Sequence, residues 1–338
     1  MRKVELGNTG ESVSCLCMGT MLFGSRMEEK ASFAALDAFA EAGGDFLDTA
    51  NCYAWWEGRG QFVGDESEAV LGRWMKARGN RRSMFVATKL GARLPDPQGV
   101  RNDQGDVIWE RVPAAYERLT PAAVRRAAEG SLRRLQTDTI DLLYAHIEDR
   151  ATPLEDTLEA LHALVEEGKV RHVGLSNYPA WRLALANATC DARGWAPCVA
   201  IQNEYSYLRR RPGLPRGVDV GVDEGLLDYL RGDCRTTLLA YSPMLKGIYE
   251  DAHKRSEVYL WAFFDCADSR ARLAALEEVA RDLGVTSSQL VLAWLLGHDP
   301  RVIPVIGGSR PEHYDQALQA ATIQLPHDVM ARLNHASG

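Results

Sequence analysis

The sequence has no long apolar run and no glycine-rich nucleotide fingerprint. No stretch approaches the ~20 apolar residues that a membrane span requires, and the first residues lack the apolar core of a signal peptide. Neither a Gly-x-Gly-x-x-Gly motif nor a linker-like tract interrupts the 338 residues. We therefore predict a single domain over residues 1–338 that does not enter a membrane.

Positive charge is scarce for a nucleic-acid-binding protein. The chain has 39 Lys and Arg against 46 Asp and Glu, which gives a formal net charge of −7. A broad nucleic-acid surface is therefore not expected. Seven cysteines without a Cys-x-x-Cys pair are typical of free thiols in a reducing compartment. We predict a cytoplasmic protein, and its oligomeric state stays open.

Short apolar runs alternate with amphipathic runs along the chain. The expected strands are Cys15–Met18, Asp45–Leu47, Met84–Ala87, Asp141–Ala145, His172–Leu175, Cys198–Gln202, Thr237–Ala240 and Val302–Val305. The expected helices are Glu28–Ala42, Ser67–Arg78, Pro121–Leu135, Leu154–Glu167, Pro179–Ala192, Asp223–Arg231, Ser269–Leu283, Ser287–Leu296 and Pro311–Ala320. This alternation fits an open doubly wound sheet or a closed barrel, and periodicity alone does not choose between them.

Turn and cap signals add detail to this pattern. Val4–Leu6 and Val13 flank the turn signal Asn8-Thr9-Gly10 and predict a hairpin before the first barrel strand. The expected helix caps are Thr120, Thr152 and Thr286 at amino ends and Gly168 and Gly284 at carboxyl ends. The stretches too long for tight connections are Gly91–Leu119, Ser206–Val222 and Pro243–Asp268. All three follow strands, where the loops of a barrel gather and build its active site.

Polar residues stand where the apolar runs end. Asp48, Lys89, His146, Gln202 and Tyr241 each close such a run. A buried lysine or aspartate requires a partner, because an unpaired buried charge costs several kcal/mol. Each residue alone fits a structural role, such as a cap or a rim charge. Their order along the chain indicates a site at the mouth of a core.

The segments around these residues resemble the aldo-keto reductases. The matching segments, in family order, are Phe46–Tyr53 (D-T-A-x-x-Y), Val86–Lys89, Asp141–His146, Gly174–Tyr178, Gln202–Ser206 and Tyr241–Gly247. The resemblance implies a (β/α)8 TIM barrel with an N-terminal β-hairpin and long loops after the strands. It also implies an NAD(P)(H)-dependent oxidoreductase that reduces an aldehyde or ketone to an alcohol, or catalyses the reverse reaction.

The resemblance implies a catalytic tetrad of Asp48, Tyr53, Lys89 and His146. Hydride arriving at a carbonyl carbon leaves negative charge on oxygen, and a phenol supplies the proton if its pKa of ~10 is drawn toward neutral. The Lys89 ammonium would lower the pKa of Tyr53, and Asp48 would balance that ammonium. His146 would donate a hydrogen bond to the substrate oxygen.

The resemblance also implies an extended nicotinamide dinucleotide across the barrel mouth. Ser176, Asn177 and Gln202 match the positions that hold the carboxamide, and Tyr241 matches the residue that stacks on the ring. The other implied cofactor contacts are Gly19, Thr20, Met21, Ser242, Met244, Lys246, Gly307, Ser309, Arg310 and His313. Donors and positive charge at Ser309 and Arg310 suit a 2′-phosphate, which favours NADPH while leaving NADH open. His313 departs from the family's pattern, in which Arg or Gln is common.

Aromatic residues after the candidate catalytic tyrosine predict a pocket for a bulky, partly apolar carbonyl or alcohol. The expected pocket walls are Phe23, Trp55, Trp56, Trp109 and Tyr205. No metal site is expected. One alternative is a cofactor-binding, redox-sensing regulatory subunit resembling potassium-channel β-subunits. A second alternative is a metal-dependent barrel hydrolase, but the histidines of this sequence are too scattered to favour it.

Overall fold

Eight parallel strands close into a barrel with helices around it. The computed structural model describes residues 1–214, 217–250, 252–253 and 255–336. The strands are β1 (Lys3–Glu5), β2 (Ser12–Ser14), β3 (Cys17–Gly19), β4 (Phe46–Asp48), β5 (Phe85–Leu90), β6 (Ile140–Ala145), β7 (Val170–Ser176), β8 (Cys198–Glu204), β9 (Thr237–Tyr241) and β10 (Val302–Ile306). From β3 onward, neighbours in sequence are neighbours in the barrel, and β10 pairs with β3. The predicted (β/α)8 barrel is confirmed.

Helices connect the barrel strands and cover them from outside. In the described residues they are α1 (Glu29–Glu41), α2 (Glu66–Arg78), α3 (Val112–Ala115), α4 (Pro121–Leu135), α5 (Leu154–Glu166), α6 (Ala180–Arg193), α7 (Glu224–Gly232), α8 (Trp261–Phe264), α9 (Ala267–Leu283), α10 (Ser287–Leu296), α11 (Pro311–Ala320) and α12 (His327–His335). Every predicted helix is present, with ends displaced by at most two residues. Helices α3, α8 and α12 were not predicted from the sequence. None of the helices in the described part of the chain is long and apolar enough to cross a membrane.

The helix caps confirm two of the three threonine predictions. The Thr120 side chain accepts from the Ala123 amide, and Thr286 forms a reciprocal capping box with Gln289. The prediction for Thr152 is wrong, because the residue at that cap position is Pro153. Thr152 instead donates its hydroxyl hydrogen bond to Asp149.

The predicted hairpin, β1 with β2, covers the end of the barrel where the strands begin. Lys3 forms an ion pair with Asp45, which immediately precedes β4. The Gly7 amide donates to the hydroxyl of Thr237, the first residue of β9, at 2.6 Å. Leu6 and Val13 are fully buried against the side chains that fill the barrel. The open end of the barrel is therefore the carboxyl end of its strands.

Strand register indicates that Lys89 and Tyr241 point into the barrel near this open end. Asp48 is paired with Ala87, and Leu239 of β9 is paired with Gln202 of β8. Ala87 and Leu239 belong to the cluster inside the barrel. Since side chains alternate along a strand, Lys89 and Tyr241, two residues further on, point to the same side.

The three long stretches predicted as loops follow β5, β8 and β9. The first contains the turn Trp109–Arg111 and helix α3, and the third contains α8. Residues 215–216, 251 and 254 of these stretches lie outside the described residues. Such loops surround the open end of the barrel, where a barrel enzyme has its site.

Candidate active site

A buried ion pair lies where β4 and β5 end. Lys89 Nζ donates to a carboxylate oxygen of Asp48, and both side chains are only 1% exposed. The same ammonium donates to the Thr49 carbonyl at 2.9 Å and to the Tyr53 hydroxyl at 2.6 Å. Every ammonium hydrogen thus has an acceptor, which a buried lysine requires. Three of the four predicted catalytic side chains are in direct contact.

The second carboxylate oxygen of Asp48 is also occupied. Gln202 Nε2 donates to it at 2.9 Å, and Gln202 is buried. The carboxylate therefore has a hydrogen-bond partner on each oxygen and is fixed in orientation. Gln202 was predicted to contact the nicotinamide carboxamide, and in this structure its amide nitrogen contacts Asp48 of the tetrad.

The electrostatics at Tyr53 differ from the expectation. Burial raises the pKa of Tyr53 well above its ordinary value, and the negative charge of Asp48 raises this pKa further. From the sequence, a pKa drawn toward neutral was expected for Tyr53, but in this structure the net pKa is raised even though the phenol contacts the Lys89 ammonium. Asp48 lies next to Lys89 and opposes the effect of the ammonium on the phenol. Tyr53 is consequently a protonated hydrogen-bond donor near neutral pH.

His146 completes the group from the end of β6. Its ring packs edge-on against the Tyr53 ring, with centroids 5.8 Å apart. Burial lowers the pKa of His146 well below its ordinary value, and the nearby positive charge of Lys89 acts in the same direction. The imidazole is therefore neutral near pH 7. Its Nδ1 lies 3.5 Å from the Cys52 sulfur.

The side chain of Asn177 links the ends of β6, β7 and β9. Its Nδ2 donates to the His146 carbonyl at 3.0 Å and to the Ser176 hydroxyl at 3.2 Å. Its Oδ1 accepts from the Tyr241 hydroxyl at 2.8 Å and from the Val220 amide at 3.2 Å. All hydrogen-bonding positions of this amide are filled by the protein itself. Asn177, predicted to hold a carboxamide, therefore holds Tyr241 and His146 in this structure.

Aromatic side chains form one side of the mouth. The Trp55 ring lies 5.8 Å from that of Trp56 and 5.9 Å from that of Trp109, and Trp56 lies 6.4 Å from Tyr53, all measured between centroids. Trp109 comes from the long segment after β5 and is 59% exposed. Arg101 is buried beside them and donates to the Trp55 carbonyl. The structure thus brings together the three tryptophans predicted as pocket walls.

Two other predicted walls lie elsewhere. Phe23 is fully buried, with its ring centroid 6.3 Å from that of Tyr314. The Tyr205 hydroxyl forms a 2.8 Å hydrogen bond with His298, and its ring packs on Trp294 of α10. Neither side chain forms part of the tryptophan wall in this structure.

Comparison with known proteins identifies the family. The model for the Aldo/keto reductase family matches residues 15–337. The chain belongs to this family. It is 32% identical to the uncharacterized oxidoreductase YrpG of Bacillus subtilis (strain 168), over 99% of this chain and 95% of that protein. It is 30% identical to an aryl-alcohol dehydrogenase (NADP(+)) of Phanerodontia chrysosporium, over 96% of this chain and 83% of that protein.

A solved structure supports the same assignment. The crystal structure of a thermostable aldo-keto reductase with the inhibitor epalrestat matches with a TM-score of 0.73 and 26% identity, covering 100% of both chains. Members of the family are oxidoreductases that carry out carbonyl reduction with nicotinamide cofactors. Membership in the family of aldo/keto reductases favours an oxidoreductase over the metal-dependent hydrolase considered above.

Several of the predicted cofactor contacts follow the ends of β3 and β10. A Cβ at Gly307 would meet only the Gly19 carbonyl, at 3.9 Å, so the backbone there is open to close approach. Arg310 precedes α11, is exposed, and forms a 3.2 Å hydrogen bond with His313. Within the described residues no ion pair is found for its guanidinium. A cation beside a helix amino terminus suits a phosphate; Ser309 is exposed next to it.

The remaining predicted cofactor residues differ in accessibility. Thr20 is fully buried, and its hydroxyl is hydrogen-bonded with the Asp48 carbonyl and Ser67, so its side chain is not open. Met21 is 40% exposed. Lys246 donates to the Tyr259 hydroxyl at 2.9 Å, with its Nζ 4.5 Å from the centre of that ring. Ser242 and Met244 are partly exposed in the same loop.

Two residues that were not predicted from the sequence contact Tyr241 and Asn177. Asp219 accepts from the Tyr241 hydroxyl at 3.2 Å, and the next residue, Val220, donates its amide to Asn177. The backbone of Val220 also pairs with the end of β8 at Glu204. A single aspartate in a long loop carries no sequence signal of such a contact. Only the structure shows that this loop folds back and pairs with the end of β8.

Proposed function

We propose that this chain is an NADPH-dependent oxidoreductase that reduces an aldehyde or ketone to an alcohol, or catalyses the reverse, with Tyr53 as general acid or base. The observation that carries the proposal is the contact of Lys89 with both Asp48 and the Tyr53 hydroxyl at the barrel mouth. A phenol hydrogen-bonded to an ammonium is a proton donor whose conjugate base is stabilised as it forms.

Each residue of the tetrad has a distinct task in this proposal. The nicotinamide, when bound, supplies or accepts the hydride. Tyr53 delivers its proton to the substrate oxygen during reduction and takes the proton back during oxidation. Lys89 stabilises the phenolate that remains, and Asp48 keeps the ammonium charged and oriented. His146, neutral and beside Tyr53, donates a hydrogen bond to the oxygen as negative charge develops there.

The raised pKa of Tyr53 fits the direction of reduction. A phenol that retains its proton near neutral pH is ready to act as an acid. Negative charge appears on the substrate oxygen only as hydride arrives, and the oxygen then becomes a strong proton acceptor. Lys89 is already in hydrogen-bond contact with the phenol, so stabilisation of the phenolate requires no rearrangement.

The preference for NADPH rests on Arg310, Ser309 and His313. Arg310 and His313 form a pair at the start of α11, and Ser309 is exposed beside them. An arginine beside a helix amino terminus favours a 2′-phosphate over a 2′-hydroxyl. The substrate class follows from Trp55, Trp56 and Trp109, which favour a bulky, partly apolar carbonyl compound. The aryl-alcohol dehydrogenase among the relatives supports this class.

Replacing Tyr53 tests the acid–base assignment. Tyr53→Phe removes the proton donor while retaining the ring against His146 and Trp56. We expect kcat for aldehyde reduction to fall at least ~100-fold, with NADPH binding by fluorescence unchanged. Tyr229→Phe, a tyrosine on outer helix α7, is the matched control and should retain full activity. A Tyr53→Phe variant with unimpaired turnover would overturn the assignment.

A panel of aldehydes, ketones and sugar lactols, followed by nicotinamide absorbance, tests the activity itself. Turnover of any of these compounds would support the proposed enzymatic function. Tight cofactor binding without turnover would support the alternative of a redox-sensing regulatory subunit. We also place the protein in the cytoplasm, since all its cysteines are free, as expected of a reducing compartment.

A further inference from the structure

The Cys52 thiol lies against one ring nitrogen of His146. The distance from Sγ to Nδ1 is 3.5 Å, and Cys52 is only 3% exposed. Cys52 directly precedes Tyr53, whose hydroxyl contacts Lys89. One short segment after β4 therefore supplies the proposed proton donor and a neighbour for the histidine beside it.

The contact bears on which nitrogen of His146 carries the proton. A neutral imidazole has one N–H donor and one bare acceptor nitrogen. A carbonyl oxygen only accepts, so His146 assists the substrate only when the nitrogen facing it carries the proton. Among the described residues, Nε2 of His146 has no hydrogen-bond partner, which leaves it available to a ligand, whereas Nδ1 faces Cys52.

The thiol is suited to donate rather than to accept. Burial raises the pKa of Cys52 to about 12, so the sulfur keeps its hydrogen at neutral pH. Sulfur is a weak acceptor, and an N–H directed at it would leave the thiol hydrogen unused. If the S–H is directed at Nδ1, the thiol hydrogen and the acceptor nitrogen of the ring are both hydrogen-bonded.

We propose that Cys52 is a positioning residue: its S–H donates to Nδ1 of His146 and thereby fixes the imidazole proton on Nε2, where it meets the substrate oxygen. A partner on one ring nitrogen commonly sets the tautomer of a functional histidine. This inference rests on the proposed function, because it explains how His146 is prepared for that reaction.

The tautomer is measured directly, without substrate. Two-dimensional ¹H–¹⁵N spectra of protein labelled with ¹⁵N-histidine show which nitrogen of each ring carries the hydrogen. The His146 signal is assigned by its loss in His146→Gln. We expect Nε2–H in the wild type, the same form in Cys52→Ser, and in Cys52→Ala either a mixture of tautomers or a shifted Nδ1 resonance. A wild-type His146 protonated at Nδ1, or an unchanged spectrum in Cys52→Ala, overturns the proposal.

Kinetics separate positioning from a merely structural role. We expect Cys52→Ala to lower kcat about tenfold, as loss of a partner behind a functional histidine does, with the KM for cofactor unchanged. Cys52→Ser should restore most of the rate. In the His146→Gln background, Cys52→Ala should cause no further loss. Equal losses with and without His146 would refute the proposal.

A matched control and the wild type complete the design. Cys15→Ala removes an equally buried thiol that precedes β3 and lies toward the other end of the barrel. It should leave both the spectrum and the rate unchanged. A wild type that reduces no carbonyl compound would refute the proposed function. The tautomer of His146 would still show whether Cys52 donates its S–H to Nδ1.

Discussion

Replacing Asp48 by asparagine should destabilise the fold through the buried charge of Lys89. Asp48 accepts from Lys89 on one oxygen and from Gln202 on the other, and both charged side chains are 1% exposed. An asparagine has only one oxygen, so its NH2 group must face one of these two donors. The ammonium would then be buried without a counter-charge, which costs about 3–5 kcal/mol.

The loss is measurable as a thermal shift. At about 2 °C per kcal/mol for a chain of this size, we expect the unfolding midpoint of Asp48→Asn to fall by about 6–10 °C. Circular dichroism during heating provides the measurement. Glu29→Gln breaks an exposed ion pair with Arg73 and is the matched control, for which only a slight shift is expected.

A double variant isolates the charge as the cause. Lys89→Met removes the ammonium and keeps an unbranched side chain of similar length. Asp48→Asn combined with Lys89→Met should be more stable than Asp48→Asn alone, because no unpaired charge remains. A double variant no more stable than Asp48→Asn, or a single variant as stable as the control, would refute the electrostatic argument.

Two further predictions concern the cofactor and pH. Arg310→Ala should raise the KM for NADPH by about 10- to 100-fold and leave the KM for NADH nearly unchanged, because a bidentate contact to phosphate contributes roughly 1.5–3 kcal/mol. Steady-state kinetics with both cofactors checks this, and equal changes would contradict the NADPH preference. The pKa of His146 lies well below 6.5, so the imidazole stays neutral as pH falls through that value. The kcat/KM profile should therefore show no step near pH 6.5, and a step that disappears in His146→Gln would contradict the neutral assignment.

The barrel and its polar mouth were predictable because the strands and the residues that end them are specified by short, local stretches of sequence. Apolar runs mark the strands, and the residues that close them are brought to one face by parallel pairing. Asp48, Lys89 and His146 were therefore identifiable as candidates, and the structure brings them together around Tyr53. The family resemblance chose the closed barrel where periodicity allowed an open sheet.

Contacts made by loops were not predictable in the same way. Phe23 and Tyr205 were expected at the pocket, but the residues that follow a strand end have no fixed side-chain direction. Packing against Tyr314 and hydrogen bonding to His298 direct them elsewhere. Likewise, the engagement of Asn177 with Tyr241 depends on how distant segments meet.

The hairpin at the far end of the barrel has a practical consequence. It covers the end opposite the mouth, where its residues contact Asp45 before β4 and Thr237 at the start of β9. A surface tether attached at the turn of this hairpin would hold the protein with its opening toward the solution. Reactants and products would exchange freely on such a support, since the blocked end takes no part in their passage.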